Sequence, residues 1–281
     1  MRTNNAMQLK ALIRNRAKAE GVSPQLVMQN YLLERLLERI SLSSWRDCIV
    51  IKGGMLISSL IGVDRRSTKD LDTTIQGFTL THASAEKAFR EIAAVDVDDD
   101  FEFKFIRTED IREGDEYPGI RVHLTADYEM MSSPVTVDVT TGDRITPKAI
   151  EYSYHLLFDD RSILLMAYPL ATVLAEKLET VISRSVANTR PRDYYDIYSL
   201  WKTRKDTVDS DSLREALVAT ADKRGTHSTM SSYRKVMKQV AEDPSMLSHW
   251  SAYTQRYPYV GDLSLQRACD VVVEIMESIS W

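Results

Sequence analysis

The pattern of apolar positions changes character near Tyr168. Before it, short helical and β-type runs alternate. Met7 to Ala19 and Pro24 to Ser41 read as helices, the second with Val27, Tyr31, Leu32, Leu36 and Ile40 at helical spacing. Cys48 to Ile51 is a short apolar run suited to a buried strand, followed by Gly53-Gly54 and a helix-compatible Met55 to Ile61. Asp70 to Gln76 reads as a second strand and Ser84 to Val95 as a helix. Three β-rich runs follow, Phe101 to Thr108, Arg121 to Tyr128 and Pro134 to Thr140, separated by turn signals such as Tyr117-Pro118-Gly119. The last run puts Val135, Val137 and Val139 on one face and Thr136, Asp138 and Thr140 on the other. Beyond Tyr168 the pattern is helical: Leu170 to Arg184, Arg192 to Lys202, Ser212 to Asp222, Tyr233 to Ala241 and Leu263 to Ile279. An α/β lobe followed by a helical lobe is expected, with the boundary near residues 160–168.

Composition narrows the function classes. The chain has 281 residues, 43% hydrophobic and 27% charged, enough to bury a substantial core. No stretch approaches the roughly 20 apolar residues that span a bilayer, so no membrane association is expected. The basic N-terminus lacks the apolar run of a secretory signal, which gives a cytoplasmic expectation. Cys48 and Cys269 form no CxxC or Cys/His cluster and read as buried small hydrophobes, and the five histidines are isolated from one another. A net charge of −5 disfavours indiscriminate DNA coating, yet basic charge confined to one cleft is compatible with an RNA substrate. The acidic run Asp96 to Glu102 reads as a solvated loop before a strand.

Five elements carry candidate chemistry. Lys52-Gly53-Gly54 lies between a strand and a helix, where glycine lets backbone approach a ligand and helix N-terminal amides favour phosphate. In Arg66-Ser67-Thr68-Lys69-Asp70-Leu71-Asp72, strand alternation puts the Asp70 and Asp72 carboxylates on one face. Two adjacent anions repel unless a cation lies between them, and magnesium suits a few carboxylates plus substrate phosphates. A polar pair at a loop edge is the competing reading. Asp138 could complete a metal cluster with Asp70 and Asp72, or belong to a plain solvent face with Thr136 and Thr140. In the helix holding Ala175-Glu176-Lys177-Leu178-Glu179, Lys177 falls within an apolar stripe, where a lysine either snorkels to solvent or meets an anion. In Arg190-Pro191-Arg192-Asp193-Tyr194-Tyr195-Asp196, Asp193 lies on the side of Ile197 and Leu200, just after two arginines.

In this order and spacing, with Asp70 sixteen residues after Gly54, the motifs from Lys52 to Tyr198 resemble the AbiEii/MenT family of nucleotidyltransferase-like toxins. These belong to type IV toxin–antitoxin and phage-abortive systems. The resemblance implies an α+β (α/β) fold: a DNA polymerase β-like nucleotidyltransferase core with a mixed sheet over residues 1–165, then a helical C-terminal lobe over 166–281 that contributes Lys177 and Asp193 to the site. It also implies that Asp70 and Asp72 bind metal, that Lys177 contacts nucleotide phosphate and that Asp193 is needed for activity. Family members transfer nucleotides to the acceptor end of tRNA, block translation, and have a cognate antitoxin encoded beside them. The chain departs from the polymerase β-type pattern in Gly53-Gly54, where Gly-Ser is usual, and in Thr73-Thr74, where hydrophobic residues are usual.

The expected activity is therefore magnesium-dependent (or manganese-dependent) transfer of a nucleotide from an NTP to a tRNA 3′ end. Asp70, Asp72 and Asp138 are the expected metal residues, and Lys52, Gly53, Gly54, Arg66, Ser67, Arg190 and Arg192 the expected nucleotide contacts. One alternative keeps the site and transfers a nucleotidyl or phosphoryl group to a protein or small molecule, with Ser67 as a modification target. Another is a catalytically silent module that binds a partner.

Overall fold

Local sequence chemistry sets the ends of the first helices. In the computed structural model, which describes residues 5–62, 64, 66, 68–111 and 119–281, α1 (Ala6–Glu20) begins at Asn5, whose side chain accepts the Gln8 amide. It ends at Gly21 in the left-handed conformation that costs glycine nothing. α2 (Pro24–Leu42) begins with proline in its first turn and Ser23 accepting the Leu26 amide. Ser67 and the Tyr117-Pro118 part of the expected turn lie outside the described residues.

The chain divides into two compact units. The first runs to Asp143 and also takes Ile150–Ala167. It continues through β1 (Ile49–Lys52), α3 (Gly53–Ile61), β2 (Leu71–Ile75), α4 (His82–Ala93), β3 (Glu102–Ile111), β4 (Gly119–Tyr128), β5 (Met131–Thr140), β6 (Ile150–His155) and β7 (Ser162–Ala167). The strands form one seven-stranded mixed sheet in the order β3-β4-β5-β2-β1-β7-β6, as expected of the fold class. β2 pairs antiparallel with β1 and parallel with β5, and β1 pairs parallel with β7. Val122, Leu124, Val135, Val137 and Leu71 are all buried, while the alternating partners on β4 and β5 are only partly covered. This is the period-2 pattern of a sheet with one apolar face. α2 packs on β5 and β7, and α4 on β3 and β4.

α2 also buries charge. Arg35 donates to Glu34 at 2.7 Å and to Glu38 at 2.5 Å, and Arg161 donates to Glu38 at 2.8 Å. Burial raises the Glu34 carboxyl above its ordinary range, while Arg35 opposes the rise. Asp99 corrects the reading of the acidic run as a solvated loop. Its neighbours Asp98 and Asp100 are exposed, but Asp99 is buried in a bidentate pair with Arg39 at 2.6 and 2.8 Å. Arg39 also donates to the Phe101 carbonyl at 2.7 Å, so the pair ties the β3 entry to α2. Asp99→Ala is expected to destabilise the protein by about 3 kcal/mol because it leaves Arg39 charged and buried. Exposed Asp96→Ala should stay within about 0.5 kcal/mol. Paired urea titrations measure the difference.

The second unit comprises residues 144–149 and Tyr168–Trp281. Its helices are α5 (Leu170–Arg184), α6 (Pro191–Arg204), α7 (Ser210–Lys223), α8 (His227–Met230), α9 (Tyr233–Glu242), α10 (Pro244–Arg256) and α11 (Leu265–Ser278). Asp209, Asp243 and Ser264 cap α7, α10 and α11 through their side chains. α5 packs on α6 and α7, and α11 on α6 and α9, around Leu174, Leu178, Ile197, Leu200, Leu217 and Ile275. Cys269 lies in this core, where burial pushes its thiol up to about 12. Tyr253, Tyr257 and Tyr259 pack with Tyr195 as an aromatic cluster. No helix among the described residues is long and apolar enough to cross a membrane.

Candidate active site

The polar face of the sheet is built by strand register. Asp72 on β2 lies opposite Lys52 of β1 on one side and Asp138 of β5 on the other. Directly paired residues share a face, so these side chains emerge together. Asp70 precedes β2 by one residue, and its Oδ1 accepts from Thr136 Oγ1 at 3.0 Å, which places it on the same face beside β5.

The glycine pair fits tightly against this face. The Gly54 amide, in the first turn of α3, donates to Asp72 Oδ2 at 3.2 Å. The carboxylate thus lies at a helix N-terminus, where the peptide dipoles favour negative charge. Gly53 has φ +61°, and a Cβ there would lie 2.0 Å from Asp72 Oδ2. A Cβ on Gly54 would lie 2.5 Å from Thr68 Oγ1 and 3.3 Å from Arg66 Nη2. Both glycines are therefore needed for close approach, Gly53 to Asp72 and Gly54 to the Thr68–Arg66 segment. Arg66 itself is buried.

Two expected contacts are held by neighbours within the unit. Lys52 donates its Nζ to Thr140 Oγ1 at 2.7 Å and to the Asp143 carboxylate, so it ties the segment after β5 to β1. Asp138 receives Arg121 bidentately, Nε to Oδ1 at 2.7 Å and Nη2 to Oδ2 at 2.9 Å. Among the described residues no group of three or more His, Cys, Asp or Glu is placed to hold a metal ion. Asp70 and Asp72 remain a two-carboxylate donor set of hard oxygens. That set fits magnesium, which commonly takes one or two carboxylates and completes its shell with water and phosphate.

In the second unit, Lys177 of α5 donates to Asp193 Oδ1 at 2.9 Å and pairs with Asp196 Oδ2 at 2.8 Å, both on α6. The Lys177 side chain is only 16% exposed and that of Asp196 is fully buried. Its place on the apolar stripe is thus explained by meeting anions. Asp196 was missed as a partner because it sits at the edge of the inward face of α6. Its spacing three residues after Asp193 was the signal, since residues so spaced stack on one side of a helix. Arg190 and Arg192 are exposed at the start of α6. Glu179 of the same α5 motif is structural: it is buried and accepts from Arg224 and from Thr226 Oγ1, which anchors the α7–α8 turn.

A family model described as the nucleotidyl transferase AbiEii toxin of type IV toxin–antitoxin systems matches residues 35–273. The chain belongs to the AbiEii family. The family is one of nucleotidyltransferases, and a toxin–antitoxin system implies an antitoxin as partner. Two solved structures share the fold. One, a Helicobacter pylori protein described as a candidate nucleotidyltransferase, is 11% identical with a TM-score of 0.54, covering 92% of this chain and 96% of its own. The other, JHP933 from Helicobacter pylori, is also 11% identical, with a TM-score of 0.53 and 92% coverage of each chain. No curated protein matches the chain in sequence.

For this AbiEii-family chain, the glycine geometry yields a direct expectation. Gly53→Ala adds left-handed backbone strain of roughly 1 kcal/mol and also pushes Asp72 aside. Nucleotidyl transfer should fall about 10²-fold, the scale of a 1 Å misplacement at a reacting centre. Gly21→Ala, with φ +67° and nothing within 4 Å of the added carbon, carries the strain alone and should leave transfer unchanged. Comparing both variants by activity and thermal melting separates strain from displacement.

Proposed function

We propose that this toxin transfers a nucleotide from an NTP to the 3′ acceptor end of tRNA, with magnesium (or manganese) held by Asp70 and Asp72. The observation that carries the reading is Asp72: a strand carboxylate seated on the Gly53–Gly54 turn, bonded to the first turn of α3, with Asp70 beside it. The acceptor and the metal rest on the family resemblance of the motifs, and on a donor set suited to a hard cation.

When bound, the metal supplies positive charge that draws the triphosphate to the carboxylate face and polarises its α-phosphorus. Gly53 and Gly54 let the Asp72 carboxylate seat against the start of α3, and the phosphates are proposed to lie beside this turn. The tRNA 3′ oxygen bonds to the α-phosphorus, the bond to the bridging oxygen breaks, and pyrophosphate leaves with the electron pair. The hydroxyl proton passes to water. Lys177 is proposed to offset charge on the departing phosphates, with Asp193 orienting its ammonium. Arg66 is proposed to assist at the phosphates, and exposed Arg190 and Arg192 to contact nucleotide or RNA backbone. Blocking acceptor ends would stop translation in the cytoplasm, the proposed site of action, until a cognate antitoxin restrains the enzyme.

Incubating the protein with each labelled NTP and a tRNA pool tests the acceptor. Label confined to the terminal nucleotide of tRNA is expected. Label on the protein, on a co-purified partner or on a small molecule, with none on tRNA, would overturn the RNA acceptor.

A further inference from the structure

The register of β2, β5 and β4 says more about how many ions the site takes. Asp138 lies directly beside Asp72, the place for a third carboxylate of a two-ion cluster. Both its oxygens, however, are engaged by Arg121 at 2.7 and 2.9 Å. Arg121 is the residue opposite Asp138 in the β4–β5 pairing, so the fork closes without backbone movement. Planar two-point pairing is the strongest geometry available between these groups. Asp138 holds the guanidinium proton above its ordinary range through those hydrogen bonds, and attraction from Asp70 and Glu109 adds to the effect. The neighbouring Lys52 is paired with Asp143. Arg121 thus offsets one of the three negative charges carried by Asp70, Asp72 and Asp138. A second ion on Asp138 would have to displace Arg121 or lie against its positive charge.

We infer that this site takes a single divalent ion on Asp70 and Asp72, while Arg121 keeps Asp138 out of the metal shell and places positive charge where a second ion would lie. This rests on the metal-dependent reading above. Arg121 is then a positioning residue for the carboxylate face, and Asp138 its anchor.

Electron paramagnetic resonance of Mn²⁺ with the full chain and a non-hydrolysable nucleoside triphosphate counts the ions without relying on turnover. One ion per ternary complex is expected, without the spin coupling of two ions about 4 Å apart. Asp138→Asn keeps a hydrogen-bond acceptor for Arg121 and should keep one ion, with affinity lowered by less than tenfold through the lost charge. Arg121→Gln frees Asp138 and should admit a second, coupled ion. Two coupled ions in the wild type, or a tenfold or greater loss of affinity in Asp138→Asn, would overturn the inference. Circular dichroism establishes folding, and if Arg121→Gln does not fold, the wild-type and Asp138→Asn results decide alone. A wild-type spectrum identical to that of Mn²⁺-nucleotide without protein would instead overturn the metal site itself.

Discussion

Asp72→Asn is expected to lower nucleotidyl transfer by about 10³-fold, the scale on which losing a charge-stabilising group at a reacting centre is felt. The substitution is nearly isosteric. An asparagine oxygen can still accept the Gly54 amide that Asp72 now accepts, so the start of α3 keeps its partner. What is lost is one of the two carboxylates proposed to hold the metal, together with a negative charge at a helix N-terminus. Turnover under saturating NTP, with melting recorded on the same preparations, distinguishes the effects. A large loss of activity with the melting temperature nearly unchanged is expected. Transfer within tenfold of wild type would remove Asp72 from the chemistry.

Lys177→Met carries the largest expected loss of stability, about 4 kcal/mol. Lys177 is 16% exposed and faces Asp193 and Asp196, so its removal leaves two carboxylates near each other with Asp196 fully buried. Mutual repulsion and desolvation then act in the same direction. Adding Asp196→Asn to Lys177→Met removes the more deeply buried charge and should recover a substantial part of the stability. Activity should not return with it, because the ammonium proposed to meet phosphate is still missing. A double variant as active as wild type would make the Lys177 cluster purely structural, like the pair that Glu179 of α5 forms with Arg224 at the end of α7.

The contrast between Lys177 and Glu179 shows what the sequence could convey. Both charges lie in one short helical motif, and periodicity placed Lys177 on the inward face. Only the three-dimensional structure separates them, because Arg224 and Thr226, more than forty residues away, hold Glu179. The helices α5, α6, α7, α9 and α11 were legible because their apolar positions recur at helical spacing. α10 was not: its buried Met246, Trp250 and Tyr253 are spaced helically but scattered among polar residues. β6 and β7 were missed for different reasons. β6 is a largely exposed edge strand, and Ile163-Leu164-Leu165-Met166 of β7 lacks the β-branched alternation that marks a strand. Yet β7 pairs directly with β1, next to the strand that carries Lys52 into the site.

On the carboxylate face, strand alternation put Asp70 and Asp72 on one side, but that Asp138 lies beside Asp72 follows from the β2–β5 pairing. Alternation could not show that Arg121 occupies Asp138, because that depends on the β4–β5 register across a connection of two residues, Glu129 and Met130. Nor could it show that Gly53 is hollowed out for Asp72 as much as for a ligand. Asp99 is the clearest case of hidden structure. Within a run of acids only one is buried, and its choice follows from where Arg39 lies on α2.

Paired reactions with α-³²P-labelled and γ-³²P-labelled NTP, in magnesium and again after chelation, separate nucleotidyl transfer from phosphoryl transfer. The α-label is expected to become attached to tRNA in magnesium and the γ-label to leave in pyrophosphate, with chelation abolishing both. Attachment of the γ-label to any acceptor, or undiminished α-label transfer after chelation, would contradict metal-dependent nucleotidyl transfer.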